Sequence, residues 1–274
     1  MKQYRLAINA EAKKSVGVEE ALPIIADVGF DGVFTSWSED APTEAWAERI
    51  ARLGLIYQSI HAPFGKVETL WDEGEAGDVY TDLLIRCLLD CHKVGVPVMV
   101  VHPIKGMDRH SPNPLGLSRF SRLVEAAEKT SVRLAFENVE GIEYLDAIMK
   151  QLGDSSSVGF CWDTGHEMCY NFSEDVMKTY GDKLIATHFN DNLGITDPNV
   201  VTWHDDLHLF PFDGKADWQG IMNRIRRHGY EGFLTFELTD KNKPNRNTHD
   251  EYAAWDAEKF YKEAYDRAAR VAAL

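Results

Sequence analysis

Residues 133–163 read RLAFENVEGIEYLDAIMKQLGDSSSVGFCWD, and the fold is decided by this stretch. Two short runs rich in apolar, β-branched and aromatic residues, RLAFEN at 133–138 and VGFCWD at 158–163, bracket a longer segment with helical spacing. Working outward, the same alternation recurs: YRLAIN, GVFTSW, YQSIHA and VMVVHP precede it, LIATHF and FLTFEL follow it. Between the runs, residues such as Leu84, Cys87, Leu88 and Cys91, or Phe260, Tyr261, Ala264, Ala268 and Val271, recur at the spacing of one helical face. Eight strands alternating with helices predict a parallel sheet wrapped by helices and closed on itself, a single (β/α)8 TIM barrel spanning residues 1–274. Gly54 and Gly95 punctuate the ends of helices two and three, and Ser173 followed by Glu174 and Asp175 predicts an acidic helix start. The longest stretch without periodicity, about Asn192 to Lys215, falls after strand seven, where a barrel places a functional loop.

The bulk numbers agree with one enzyme-sized domain. A chain of 274 residues, 44% hydrophobic and 27% charged, can bury a core without disulfides. Its four cysteines form no CxxC pair; Cys87 and Cys91 read as helix packing and Cys161 and Cys169 flank a strand end, consistent with a reducing compartment. No stretch approaches the roughly 20 apolar residues of a membrane span. The N-terminal MKQYRLAINAEAKK runs straight into a strand without the apolar core of a secretory signal, so a cytoplasmic protein is expected. With 29 basic and 44 acidic residues the net charge is −15, which argues against a nucleic-acid partner, because such binding depends on neutralising phosphates. The basic run RIRRH at 224–228 has helical spacing and reads as a solvated helix face.

In a parallel barrel the C-terminal ends of all strands share one face, where active sites of this architecture are built. His61 ends strand three, His102 strand four, Glu137 and Asn138 strand five, Asp163 strand six, His188 strand seven and Glu237 strand eight. Their spacings scatter around the roughly 31 residues expected per βα unit, so the side chains should converge. His166 in Asp163-Thr-Gly-His166, and Asp206 and His208 in the long loop, complete nine candidate ligands: Glu137, Asp163, His188, Glu237, His61, His102, His166, Asp206 and His208. Imidazole and carboxylate suit zinc, manganese, cobalt or iron, and a carboxylate can bridge two ions. Crowded carboxylates without a cation would repel one another and lose hydration. Taken singly, each histidine reads as a hydrogen-bonded structural residue and Asp163 as a cap for the following turn; six successive strands ending in polar residues on one face argue otherwise. His92, His110, His228 and His249 read as surface residues on helices or outer loops. Trp37 and Phe64 are candidates for the wall of a sugar pocket, since aromatic faces pack against C–H surfaces. Lys105, Arg109 and Lys215, in loops after strands four and seven, are weaker candidates for an anionic group.

The strings IHAPFG, VVHP, AFENVEG, FCWDTGHEM, THFNDN, DLHLFPFDGKADW and TFEL, in that order over nearly the whole chain, resemble the xylose isomerase-like TIM-barrel superfamily. That superfamily includes sugar and sugar-phosphate isomerases and epimerases, and also endonuclease IV. The resemblance to the epimerase-like members implies one divalent metal held by Glu137, Asp163, His188 and Glu237, with Glu137 and Glu237 also moving a proton beside a metal-polarised carbonyl. Asn138 and Asp191, beside the candidate ligands in sequence, are expected substrate contacts together with Trp37 and Phe64. The resemblance to endonuclease IV implies up to three zinc ions, adding His61, His102, His166, Asp206 and His208. The expected activity is therefore metal-dependent isomerisation or epimerisation of a sugar, sugar phosphate or related polyol. The alternatives are multi-zinc phosphodiester hydrolysis and a non-catalytic sugar-binding barrel. The expected partner is a small molecule, with neither nucleic acid nor membrane involved, and homo-oligomerisation left open.

Overall fold

A computed structural model describes residues 4–107 and 110–274. Eight strands run in parallel: β1 (Leu6–Asn9), β2 (Gly32–Ser36), β3 (Ile56–His61), β4 (Val98–Val101), β5 (Arg133–Glu137), β6 (Val158–Asp163), β7 (Leu184–His188) and β8 (Leu234–Phe236). Hydrogen bonding joins them in the order β7, β6, β5, β4, β3, β2, β1, β8. The ring closes through Phe189 and Phe236, with Phe189 N–H donating to Thr235 O (2.7 Å) and Glu237 N–H to Phe189 O (3.1 Å). These residues and bounds make the chain a (β/α)8 barrel, as the alternating pattern predicts.

Strand alternation places the chemistry. Side chains two apart on a strand share a face, so His102, Glu137, Asp163 and His188 stand directly beyond Val100, Ala135, Cys161 and Ala186. Those four residues form a buried cluster of their own, separate from the main core. Small side chains there leave the polar layer above them room to converge. The main core lies outside the strands, where apolar faces of helices such as Glu75–Val94, Pro114–Ala127 and Ala257–Ala272 pack on the sheet. The Glu75–Val94 helix buries Leu84, Cys87, Leu88 and Cys91, and ends at Gly95 in the left-handed region (φ 75°). Among the described residues no helix is long and apolar enough to cross a membrane.

Four sequence expectations are corrected. Ser173 does not start a helix: Phe172 and Ser173 both have positive φ (56° and 58°), a bend that delays the next helix to Met177–Tyr180. Arg224 of the basic run is not merely solvated. It pairs with Glu167 (2.8 Å) and Asp175 (3.0 Å) and its guanidinium lies 4.4 Å from the centre of the Trp162 ring. His249 is fully buried rather than on the surface, packed edge-on against Tyr252 (5.4 Å) with Nδ1 against Thr248 Oγ1 (2.9 Å). His228 is largely covered, pairing with Asp182 (2.9 Å). Arg109 lies outside the described residues.

Candidate metal centre and catalytic cavity

All nine predicted ligands meet at the carboxyl ends of the strands. Glu137, the last residue of β5, is fully buried and takes the centre. Its Oε1 lies 3.0 Å from His188 Nδ1, and its Oε2 lies 3.1 Å from His102 Nε2 and 3.4 Å from His61 Nε2. His188 Nδ1 is also 3.1 Å from Glu237 Oε2. On the loop side, Asp206 Oδ1 faces His208 Nε2 (3.0 Å) and His166 Nε2 (3.5 Å). Ligand atoms fall into sets lying within 4.8 Å of one another: His61, His102 and Glu137; Glu137, Asp163, His188 and Glu237; and His166, Asp206 and His208. Two ligands each about 2.1 Å from one ion are at most about 4.2 Å apart, so small side-chain adjustments would close each set.

The donor set fits divalent cations on two observations. His61 Nδ1 meets Ala62 O (2.8 Å), His166 Nδ1 meets Asn138 O (3.0 Å) and His208 Nδ1 meets Glu237 O (3.1 Å). A carbonyl only accepts, so in each ring Nδ1 carries a proton, while Nε2 is turned toward a carboxylate oxygen. Each such nitrogen and carboxylate oxygen need a positive charge between them, a second proton or a metal ion. Second, Glu137 Oε2, Asp206 Oδ1, His102 Nδ1 and His188 Nε2 are buried without a hydrogen-bond partner. Buried polar atoms left in this way cost stability, and cations satisfying the two carboxylate oxygens would remove much of that cost.

The titration behaviour shows the same tension. Burial raises the Asp163 carboxyl to about 6, despite nearby His166 and His208. For Glu237, burial is outweighed by His188 and His208, which hold it at about 2. Glu137 is also held well below the usual carboxylate range, burial being outweighed by the imidazoles of His188, His102 and His61. Burial opposes charge on His208, yet Asp206 and Glu237 lift it to about 9. His166 is raised in the same sense, against burial, by Asp163 and Asp206, and His188 by Cys161, Glu237 and Glu137. Burial instead lowers His102. Protons on imidazole thus supply the positive charge that metal ions would otherwise bring.

Local sequence explains the positioning. Asp163 does cap the following turn, accepting from His166 N–H (2.6 Å), and this bond ties one ligand to another. Its Oδ2 accepts from Asn190 Nδ2 (2.9 Å). Gly165 is required beside it, because a Cβ there would lie 1.9 Å from Asn190 Oδ1. His208 has φ 53°, so the loop turns back sharply at a ligand.

The substrate-wall candidates divide. Phe64 lines a cavity of about 550 Å³ above the ligands, together with His61, His102, His166, Tyr170, Trp203 and Glu237. Trp37 lies outside that wall: it is buried in the core, and its indole N–H donates to Asp90 (2.8 Å). Asn138 is fully buried and saturated, donating to Asp163 O (2.9 Å) and Asn171 Oδ1 (3.0 Å) and accepting from Asp163 N–H (2.8 Å). Asp191 is likewise committed, accepting from the N–H groups of Asn192, Phe212 and Ala216 and from the Trp218 indole. Asn138 and Asp191 therefore hold the site's loops rather than facing the cavity. Sequence reasoning missed Lys243, whose Nζ reaches Asp206 Oδ2 (3.2 Å) from the loop after β8, and Glu140, Tyr170 and Trp203 in the wall. Glu140 was detectable as the second carboxylate of the motif around Glu137. Lys243 had no local signal.

A barrel of this architecture has known counterparts. The family described as xylose isomerase-like TIM barrel matches residues 22–263, and the chain belongs to it. An uncharacterized protein, y4fM, from Sinorhizobium fredii is 34% identical, with 81% of each chain covered. A probable endonuclease 4 from Mesoplasma florum is 27% identical over 54% of this chain and 55% of its own. Among solved structures, a D-allulose 3-epimerase from Methylomonas sp. in complex with D-allulose superposes with a TM-score of 0.73, covering 97% of this chain and 96% of that one at 15% identity, a likeness of fold.

Proposed function

We propose that the chain is a metal-dependent isomerase or epimerase acting on a sugar, sugar phosphate or related polyol. The observation that carries this reading is the convergence of Glu137 and Glu237 on His188 Nδ1, at 3.0 and 3.1 Å, beneath a cavity of about 550 Å³ suited to a small molecule. Glu137, Asp163, His188 and Glu237 would hold the ion most directly concerned, which when bound supplies a Lewis acid to polarise a carbonyl and its neighbouring hydroxyl. The residues themselves divide the remaining work. Glu237 lines the cavity with its side chain 21% exposed, so of the two glutamates it is the one placed to take a proton from a bound substrate. Glu137 is fully buried beneath the histidines, so its part is to fix His188 and the ion rather than to reach substrate carbon. One proton-moving carboxylate on one face suits exchange between adjacent carbons, as in aldose–ketose isomerisation; inversion at a carbon needs delivery to the opposite face as well. Phe64, Tyr170 and Trp203 supply apolar surface against sugar C–H groups and keep water from the reacting carbon.

The test is exchange of the hydrogen next to the carbonyl in deuterium oxide, over a panel of aldoses, ketoses and their phosphates, with manganese, cobalt or zinc added. Exchange should occur with at least one sugar and fall by roughly 10²–10⁴-fold in Glu237→Gln. Absence of exchange with every sugar, or full activity in Glu237→Gln, would reject the assignment.

A second reading, hydrolysis of a phosphate ester by a multi-metal site, is favoured by one observation: among the described residues the nine donors are spanned by three of five overlapping groups, two of those three sharing Glu137. The net charge of −15 opposes a polyanionic duplex as the substrate. Three tightly bound zinc ions per chain with cleavage of abasic-site DNA would establish it; one exchangeable ion without cleavage would not.

A further inference from the structure

We infer that the substrate carries a phosphate, held at the cavity mouth by Lys105; this rests on the cavity being the substrate site proposed above. Two lysines are among the described residues lining the cavity, Lys105 and Lys243. They differ in what they face. Lys243 Nζ is engaged with Asp206 Oδ2 at 3.2 Å. Among the described residues Lys105 has no carboxylate within 4 Å; its Nζ instead lies 5.1 Å from the centre of the Phe64 ring.

Lys105 is placed by the scaffold. Gly106, next in the chain, has φ 104°, a conformation other residues rarely adopt, and its N–H donates to Glu140 Oε1 (2.6 Å). Glu140 lies three residues beyond Glu137 and is buried, so the turn bearing Lys105 is tied to the same segment that carries the central ligand. Phe64, beneath the lysine, stacks on His102 (4.5 Å between centres, 21° between planes), and His102 Nε2 reaches Glu137. A layered column of ammonium, phenyl and imidazole thus runs from the mouth to the ligands. A sugar lying along it would have its oxygens at the floor and its far end at the exposed Lys105 ammonium, which has no carboxylate within 4 Å among the described residues.

Phosphate is the group that best matches this end. It presents several charged acceptor oxygens to an exposed ammonium whose contact among the described residues is the Phe64 ring. A hydroxyl there would leave the lysine's charge unmatched, and a carboxylate would match it with fewer oxygens.

The experiment compares binding, by calorimetry on the metal-loaded chain, of glucose 6-phosphate, gluconate and glucose to wild type, Lys105→Gln and the control Lys215→Gln, the latter residue being exposed and, against the sequence expectation, outside the cavity wall. Glucose 6-phosphate should bind wild type and Lys215→Gln alike, and Lys105→Gln about 10–100-fold more weakly. Glucose should not distinguish Lys105→Gln from wild type. Equal affinity of the phosphate for wild type and Lys105→Gln overturns the inference, as does gluconate binding more tightly than glucose 6-phosphate. Because binding is read without turnover, Lys105-dependent phosphate binding without hydrogen exchange on any sugar would remove the isomerase reading and leave this one standing.

Discussion

Two buried charged clusters lie on the same barrel and solve the same problem differently. Lys13, almost fully buried after β1, pairs with Asp240 (3.0 Å) and donates to the carbonyls of Tyr252 and Ala253, each at 3.0 Å. Three acceptors meet three donors, and the cluster pins the loop after β8 to the loop after β1. The strand-end cluster around Glu137 contains more charge, yet leaves Glu137 Oε2, Asp206 Oδ1, His102 Nδ1 and His188 Nε2 without hydrogen-bond partners. Closed accounts mark a structural clamp, and open ones with lone pairs aimed inward mark a site that takes a ligand.

The contrast is broken or sharpened by mutation. The largest effect is expected from Glu137→Gln. Glu137 touches two ligand sets, so metal affinity and activity should both fall by more than the roughly 10–100-fold that loss of an outer partner costs, while the fold is retained. Titration of metal against activity and circular dichroism checks this. Lys13→Met should do the reverse, lowering stability by about 3–5 kcal/mol because Asp240 is left buried and unpaired, with ion binding kept. Denaturant unfolding beside metal titration separates the two. Asn190→Ala removes the donor to Asp163 Oδ2, and should weaken ion binding about 10–100-fold.

The smallest effect is in pH dependence. In the metal-free chain His208 is raised from 6.5 to about 9, so its contribution to stability is full below 6.5 and lost as pH rises through 9. Asp163, raised to about 6, has lost its own contribution before that window opens. The melting temperature of the chelated chain should therefore fall from pH 6.5 to 9. Added metal should oppose the fall, since ions displace protons from their ligands and bind better as pH rises. A chelated chain whose melting temperature rises over that range would contradict the assignment of His208.

The barrel and the convergence of its strand-end carboxylates and imidazoles were legible because two simple periods coincide. Strand alternation puts Glu137 above Ala135 and Asp163 above Cys161, and the repeat of the βα unit brings strand ends together. What failed was the distinction between a polar side chain that faces the cavity and one that faces the chain's own loops. Asn138 and Asp191 adjoin the candidate ligands in sequence, and only their backbone partners, up to 25 residues away, show that they are spent on structure. Trp37 looked like a wall because it follows a strand, but Asp90 on a neighbouring helix draws its indole into the core. Lys243 and Lys13 act across 37 and more than 220 residues, distances over which no sequence spacing gives a signal.

The most direct measurement is elemental analysis of divalent ions per chain in wild type, Glu137→Gln and Lys13→Met, after dialysis against metal-free buffer. At least one ion per chain should remain in wild type and Lys13→Met and be lost from Glu137→Gln. Equal ion content in wild type and Glu137→Gln, or none in wild type after dialysis against excess manganese or zinc, would contradict the account.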